Sequence, residues 1–160
     1  MEATLPFFQW MGATPMAQYF LSTTWSTPIV QVIHLVAIAS FVGSVLIVDM
    51  RLLGTGLTDT PLPKLARSAE PWLIGSFAVL FITGLPQLTS TALKQYYSPF
   101  FWWKMEAMLL ALILMMTVRR KMTRTDEADL GPFWPKVVGI TSIALWTAVI
   151  VGARLIGLLS

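Results

Sequence analysis

The chain has 160 residues, of which 56% are hydrophobic and only 12% charged, with a formal net charge of +3. A soluble domain carries roughly twice that share of charge, and a mean hydropathy of +0.70 indicates an integral membrane protein. There is no cysteine, which excludes disulfides, thiolate metal sites and thiol nucleophiles. A single histidine excludes a multi-histidine metal cage and a bis-histidine haem within one chain. The basic residues cluster beside hydrophobic runs, so the net charge does not imply nucleic-acid binding.

Taken in chain order, residues 1–27 are too polar and broken to span a bilayer, and they hold no lysine or arginine, so they lack the basic start of a signal peptide. Their aromatics (Phe7, Phe8, Trp10, Tyr19, Phe20 and Trp25) suit the membrane interface. The expectation is one or two short amphipathic helices lying on the membrane or capping a bundle. Residues 28–160 read as an all-α transmembrane bundle of four helices, over about 28–50, 72–88, 100–118 and 137–159. Pro28 stands near the start of the first span, Gly54 and Gly56 follow its end, and Pro71 opens the second. Gly131, Pro132 and Pro135 mark the last loop.

Charge asymmetry gives an orientation. With four spans, the first and third loops share a side, and together they hold Arg51, Lys64, Arg67, Arg119, Arg120, Lys121, Arg124 and Lys136. The other side has Lys94 as its one clear basic residue. The positive-inside rule then places both termini outside, in the periplasm if the host is Gram-negative.

On that topology three spans bring a basic or ionisable group to one depth. His34 lies about five residues, or about 8 Å, inside the outer end of the first span. Lys104 lies about four residues inside the outer end of the third, and Arg154 about five residues before that of the fourth. Thr83, Gly84 and Gln87 of the second span reach the same leaflet. From Lys104, the stripe Ala107, Met108, Ala111 and Met115 has the character of a packed face. Ala39 and Gly43 form a small-xxx-small pair that allows close helix approach. A buried imidazole can bind a metal or haem iron, carry a proton or hydrogen-bond a neighbouring helix. Each residue also has a plainer reading: Lys104 and Arg154 snorkelling to headgroups, His34 as an interhelical hydrogen-bonding group. Asp49 and Arg51 are expected to pair with another helix end or with headgroups. Among the methionines only Met105 and Met108 lie near His34, and methionine also fills packing gaps. No P-loop, dinucleotide fingerprint, HExxH or self-sufficient catalytic constellation is visible.

The runs STPIVQVIH, HLVAIASFVGSVLIVDMRLLG and WTAVIVGARLIG, with the TGL at Thr83–Leu85, resemble the signatures of a family of small uncharacterised bacterial four-helix membrane proteins. More distantly the pattern is similar to membrane-bound protoporphyrinogen oxidases and to copper-resistance proteins of the export type. In those oxidases a histidine in an early helix and a lysine near the start of a later one serve a b-type haem, and His34 and Lys104 match them in kind. The flanking tryptophan and arginine motifs of the oxidases, and the second histidine of many copper-export relatives, are not found here. The resemblance therefore implies haem binding rather than porphyrinogen oxidation. It implies a haem served by His34 and Lys104. The chemistry of the surrounding residues then suits His34 as an axial (metal) ligand, Lys104 or Arg154 neutralising propionates, an uncharged Lys104 or Met108 as second ligand, and Phe41, Trp102 and Trp103 flanking the macrocycle.

The expectation is a b-type haem protein that passes electrons between quinone and a periplasmic or membrane partner, embedded in the bilayer and open to homo-oligomerisation. Two alternatives stand beside it. One is a cofactor-free accessory subunit, held by a cluster of His34, Lys104, Glu106 and Arg154. The other is a small metal or solute transporter, weakened by the single histidine, the lack of an intramembrane aspartate and the lack of an inverted repeat.

Overall fold

The computed structural model describes residues 2–159, and every regular element in them is helical. A 3₁₀ turn (Glu2–Thr4) leads into α1 (Leu5–Gly12) and α2 (Pro15–Ser22), then α3 (Ser26–Leu53), α4 (Leu62–Ser90), α5 (Ala92–Tyr97) and α6 (Pro99–Leu114). A π-helical turn (Met115–Arg119) joins α6 to α7 (Arg120–Arg124), followed by α8 (Glu127–Leu130) and α9 (Trp134–Leu159). Four helices are long and apolar enough to cross a membrane: α3, α4, the continuous rod Pro99–Arg124, and α9.

All four run beyond the expected boundaries, because hydropathy sees only the apolar middle of a helix whose backbone continues into its polar ends. The largest correction is at the second span. It starts at Leu62, with Pro63 in its first turn, and Pro71 lies inside it. A proline there removes the hydrogen bond to the Arg67 carbonyl. The polar turns before it stay helical because Leu62 and Ala69 are buried against the bundle. At the end of α3 the expected cap is present: Gly54 takes the left-handed conformation, φ +73°.

Lipid is as apolar as leucine, so burial alone does not hold membrane helices together; close packing and polar contacts do. On α4 the buried positions Leu62, Ala69, Ser76 and Thr83 recur every seventh residue, a seam of mostly small side chains that lets α3 close in. The face of α3 that meets its neighbours carries Phe41, Val45, Val48 and Leu52. The Ala39–Gly43 pair is not used within the chain: Ala39 is exposed and a Cβ on Gly43 would meet nothing within 4 Å. Close approach is instead made by two glycines of α9. A Cβ on Gly139 would lie 3.2 Å from the Asp49 carbonyl oxygen, and one on Gly152 would lie 3.1 Å from Lys104 Cβ.

The helices are not packed equally on all sides. α3 packs on α4 and on α9, and α9 packs on α6, whereas α4 meets the third span chiefly at α7. α4 and α6 are therefore not in close backbone contact along their length, although side chains of both, Leu80 and Leu112 among them, pack on the core around Phe41 and Ala111. One end of the bundle is closed by the N-terminal helices: Phe8 and Met11 of α1 are buried against Ala92, Tyr96, Phe101 and Ile156. Trp10, Tyr19 and Trp25 remain exposed, as aromatic side chains at an interface do.

Gly139→Ala is expected to destabilise the protein by about 1–3 kcal/mol, because the atom it meets is backbone and the helices must part. Gly157→Ala, on the same helix and with nothing within 4 Å, should be neutral or stabilise by up to about 1 kcal/mol. Thermal unfolding of both variants in one detergent checks this, and an equal loss in the two would contradict the packing described.

Candidate functional site

His34 projects from the first half of α3, half-buried, towards α4. Its Nδ1 lies 2.7 Å from the Thr83 hydroxyl oxygen. That hydroxyl has one proton, and the Val79 carbonyl one turn earlier on α4 stands 2.7 Å away to accept it. With the proton directed there, Thr83 Oγ1 accepts in the contact with His34 and Nδ1–H donates. In that arrangement the neutral ring is the Nδ1–H tautomer and Nε2 keeps a free lone pair. An Nδ1–H held by an acceptor on the neighbouring element is the arrangement that orients a metal-ligating histidine. Gly84 lies beside the ring, where an added Cβ would stand 3.6 Å from Cε1; glycine leaves that edge uncovered.

The structure brings only part of the expected set to His34. Lys104 is half-buried on α6, within electrostatic reach of the imidazole. Its Nζ lies 5.5 Å from the centroid of the Phe101 ring, a cation–π distance. Trp103 packs on Gly152 of α9 while much of its ring is exposed, and Met108 is half-buried. Phe41 is closed in by the core: its ring centroid is 4.7 Å from that of Trp146 and 5.9 Å from that of Phe77. Arg154 and Glu106 are exposed, and no hydrogen bond or ion pair joins either side chain to another described residue. Among the described residues no group of three or more His, Cys, Asp or Glu side chains is placed to hold a metal ion.

A tighter polar cluster stands at the other end of α3. Asp49 is wholly buried, and of the two partners expected for it, another helix or the headgroups, it takes the first. Its Oδ1 accepts from Arg119 Nε at 2.9 Å and its Oδ2 accepts from the Ser142 hydroxyl at 2.6 Å. Arg119 Nη2 also donates to the Val45 carbonyl at 3.1 Å. Arg119 and Ser142 are themselves buried, so three helices are tied at one point away from water. The polar cluster that fastens the bundle thus lies here, not among His34, Lys104, Glu106 and Arg154. Its sequence signal was thin: Asp49 is a charge inside a hydrophobic run, but Arg119 reads as one of a basic loop, RRK. Trp146 was also unforeseen. Its indole N–H is buried with no acceptor beside Phe41, a cost proteins rarely leave unmet.

Fold and site together describe a small all-α protein whose four long helices are built to cross a membrane. The chain belongs to a family of unknown function (DUF6644), whose model matches residues 7–159. No curated protein and no solved structure matches it.

Removing one partner of a buried ion pair leaves the other uncompensated, at a cost of about 3–5 kcal/mol. Asp49→Leu and Arg119→Met are each expected to lose about that much. The double variant should recover to within about 2 kcal/mol of the wild type, because well-packed apolar groups can replace a buried pair. Thermal unfolding in detergent across the double-mutant cycle tests this; simple additivity of the two losses would show that the groups are not coupled.

Proposed function

We propose that this is a b-type haem protein of the bacterial inner membrane, with His34 Nε2 as axial ligand, acting in electron transfer. One observation carries the reading: the Thr83 hydroxyl holds the imidazole so that Nε2 is the free nitrogen. The other residues fit in their chemistry. Lys104 offers a cation near the ring for a propionate, and Gly84 leaves space at its edge. The sparse backbone contact between α4 and α6 would let a flat apolar ligand reach His34 from the bilayer. The distant likeness to the haem-binding oxidases rests on the His34 and Lys104 pattern alone. Haem held there would supply a one-electron couple whose potential depends on axial ligation and burial. The chain's own part is to bind, to orient the ligand nitrogen through Thr83 and to exclude water with the α1 cap. Quinone and a periplasmic or membrane redox protein are the partners such a couple would serve. The charge distribution supports both termini outside, with Arg51, Lys64, Arg67, Arg120, Lys121, Arg124 and Lys136 on the cytoplasmic side.

A second reading is a cofactor-free accessory subunit. Its support is the ion pair of Asp49 and Arg119, which fastens three helices without any ligand.

The test is a visible spectrum of protein purified after haem-supplemented expression, oxidised and then dithionite-reduced. A Soret band with reduced alpha and beta bands is expected, and His34→Ala should abolish it while helical content is kept. Thr83→Val should weaken haem binding about 10- to 100-fold, as loss of a group that orients a ligand does. A Soret band retained in His34→Ala would overturn the assignment, and a colourless wild type would favour the accessory subunit.

A further inference from the structure

Between α4 and the third span, beside the place where the two meet at α7, lies a cleft of about 630 Å³. It lies at the opposite end of α3 from His34 and belongs to neither cluster described above, although Arg119 forms part of its wall. Three other guanidinium groups line it: Arg67 from α4, and Arg120 and Arg124 from α7. All three are exposed, and no hydrogen bond or ion pair joins them to another described residue. Arg119 itself is committed to Asp49. One carboxylate, Glu70, shares the lining, so the cleft keeps a net excess of two positive charges.

The lining changes character along the helices. On α4, Arg67 precedes Leu73 and Ile74, which lie about 10 Å deeper. On the third span, Met115 and Met116 precede Arg120 and Arg124 by up to about 12 Å in the reverse sense. Both walls are apolar toward the middle of the bundle and arginine-rich at its rim. Val48 of α3, buried in the core, closes the back. An amphipathic chamber of this kind matches a ligand with an anionic head and an apolar tail. Arginine's planar fork suits phosphate oxygens in particular, and basic pockets between membrane helices are a recurrent form of headgroup site.

We propose that this cleft is a binding site for an anionic phospholipid, its phosphate held by Arg67, Arg120 and Arg124 and its acyl chains lying on Leu73, Ile74 and Met116. The inference is independent of haem. Lys121 provides the control, since it is exposed at the same end but does not line the cleft.

Native mass spectrometry of the full chain, released from micelles doped with equal amounts of phosphatidylglycerol and phosphatidylcholine of matched chains, tests the proposal. Phosphatidylglycerol should be retained preferentially. Arg67→Gln, Arg120→Gln and Arg124→Gln should each weaken retention about fivefold, the effect of one basic group at a headgroup, while Lys121→Gln leaves it unchanged. The substituted side chains are exposed, and circular dichroism of each variant confirms that the fold is kept. Equal retention of the two lipids, or an equal loss in Lys121→Gln and Arg120→Gln, would overturn the site. Thermal protection by inorganic phosphate equal to that by phosphatidylglycerol would also overturn it, by showing an anion site with no use for the acyl chains.

Discussion

The ion pair between Asp49 and Arg119 is the constraint on which the rest of the bundle depends. Apolar faces in a bilayer gain little by choosing one apolar neighbour over another. A buried carboxylate is different, because it must find a cation and donors for both oxygens or pay a desolvation penalty of several kcal/mol. Asp49 finds Arg119 on the third span and Ser142 on the fourth. That fixes the rotation of both helices about α3, and Gly139, pressed on the Asp49 carbonyl, lets the fourth come close enough.

The π-helical turn is part of the same device. Ala107, Ala111, Met115 and Arg119 are spaced by four, and in an α-helix each such step overshoots a full turn by about 40°. Over three steps the last residue would rotate well off the inward face. A turn closed by longer-range hydrogen bonds holds more residues and takes back part of that drift. Met115–Arg119 is such a turn, and Arg119 faces Asp49 at its end. The next residues, Arg120 and Arg124, are thereby left on the cleft. At the other end of α3, about 22 Å away along the axis, the contact of His34 with Thr83 ties the same helix to α4. α3 is thus the spine of the bundle. One of its polar contacts is saturated and structural, and the other leaves a nitrogen unused.

Much of this was legible in the sequence because membrane helices announce themselves by length and apolarity. The four spans, the capping N-terminal helices, the C-cap at Gly54 and the packed face through Ala107 and Ala111 all follow from local pattern. His34 stood out as a lone ionisable group in an apolar run. What could not be read were the partners. Asp49 meets a residue 70 positions away and another 93 away, and that choice depends on helix order and on a wide turn with no sequence signature. Thr83 was placed level with His34, but its role depends on the Val79 carbonyl that stands ready to take its proton. Pro71 misled because a proline is a helix opener only when nothing packed upstream of it holds the earlier turns.

The claim on which the functional account turns is that His34 is held as the Nδ1–H tautomer with Nε2 free to bind. Because it is the only histidine in the chain, ¹⁵N-histidine labelling gives one ring to observe by NMR, with no assignment problem. The account predicts a one-bond proton coupling at Nδ1 and none at Nε2, with the Nε2 signal the more strongly displaced or broadened when haem is supplied. A proton on Nε2 instead, with Nδ1 accepting from Thr83, would contradict it.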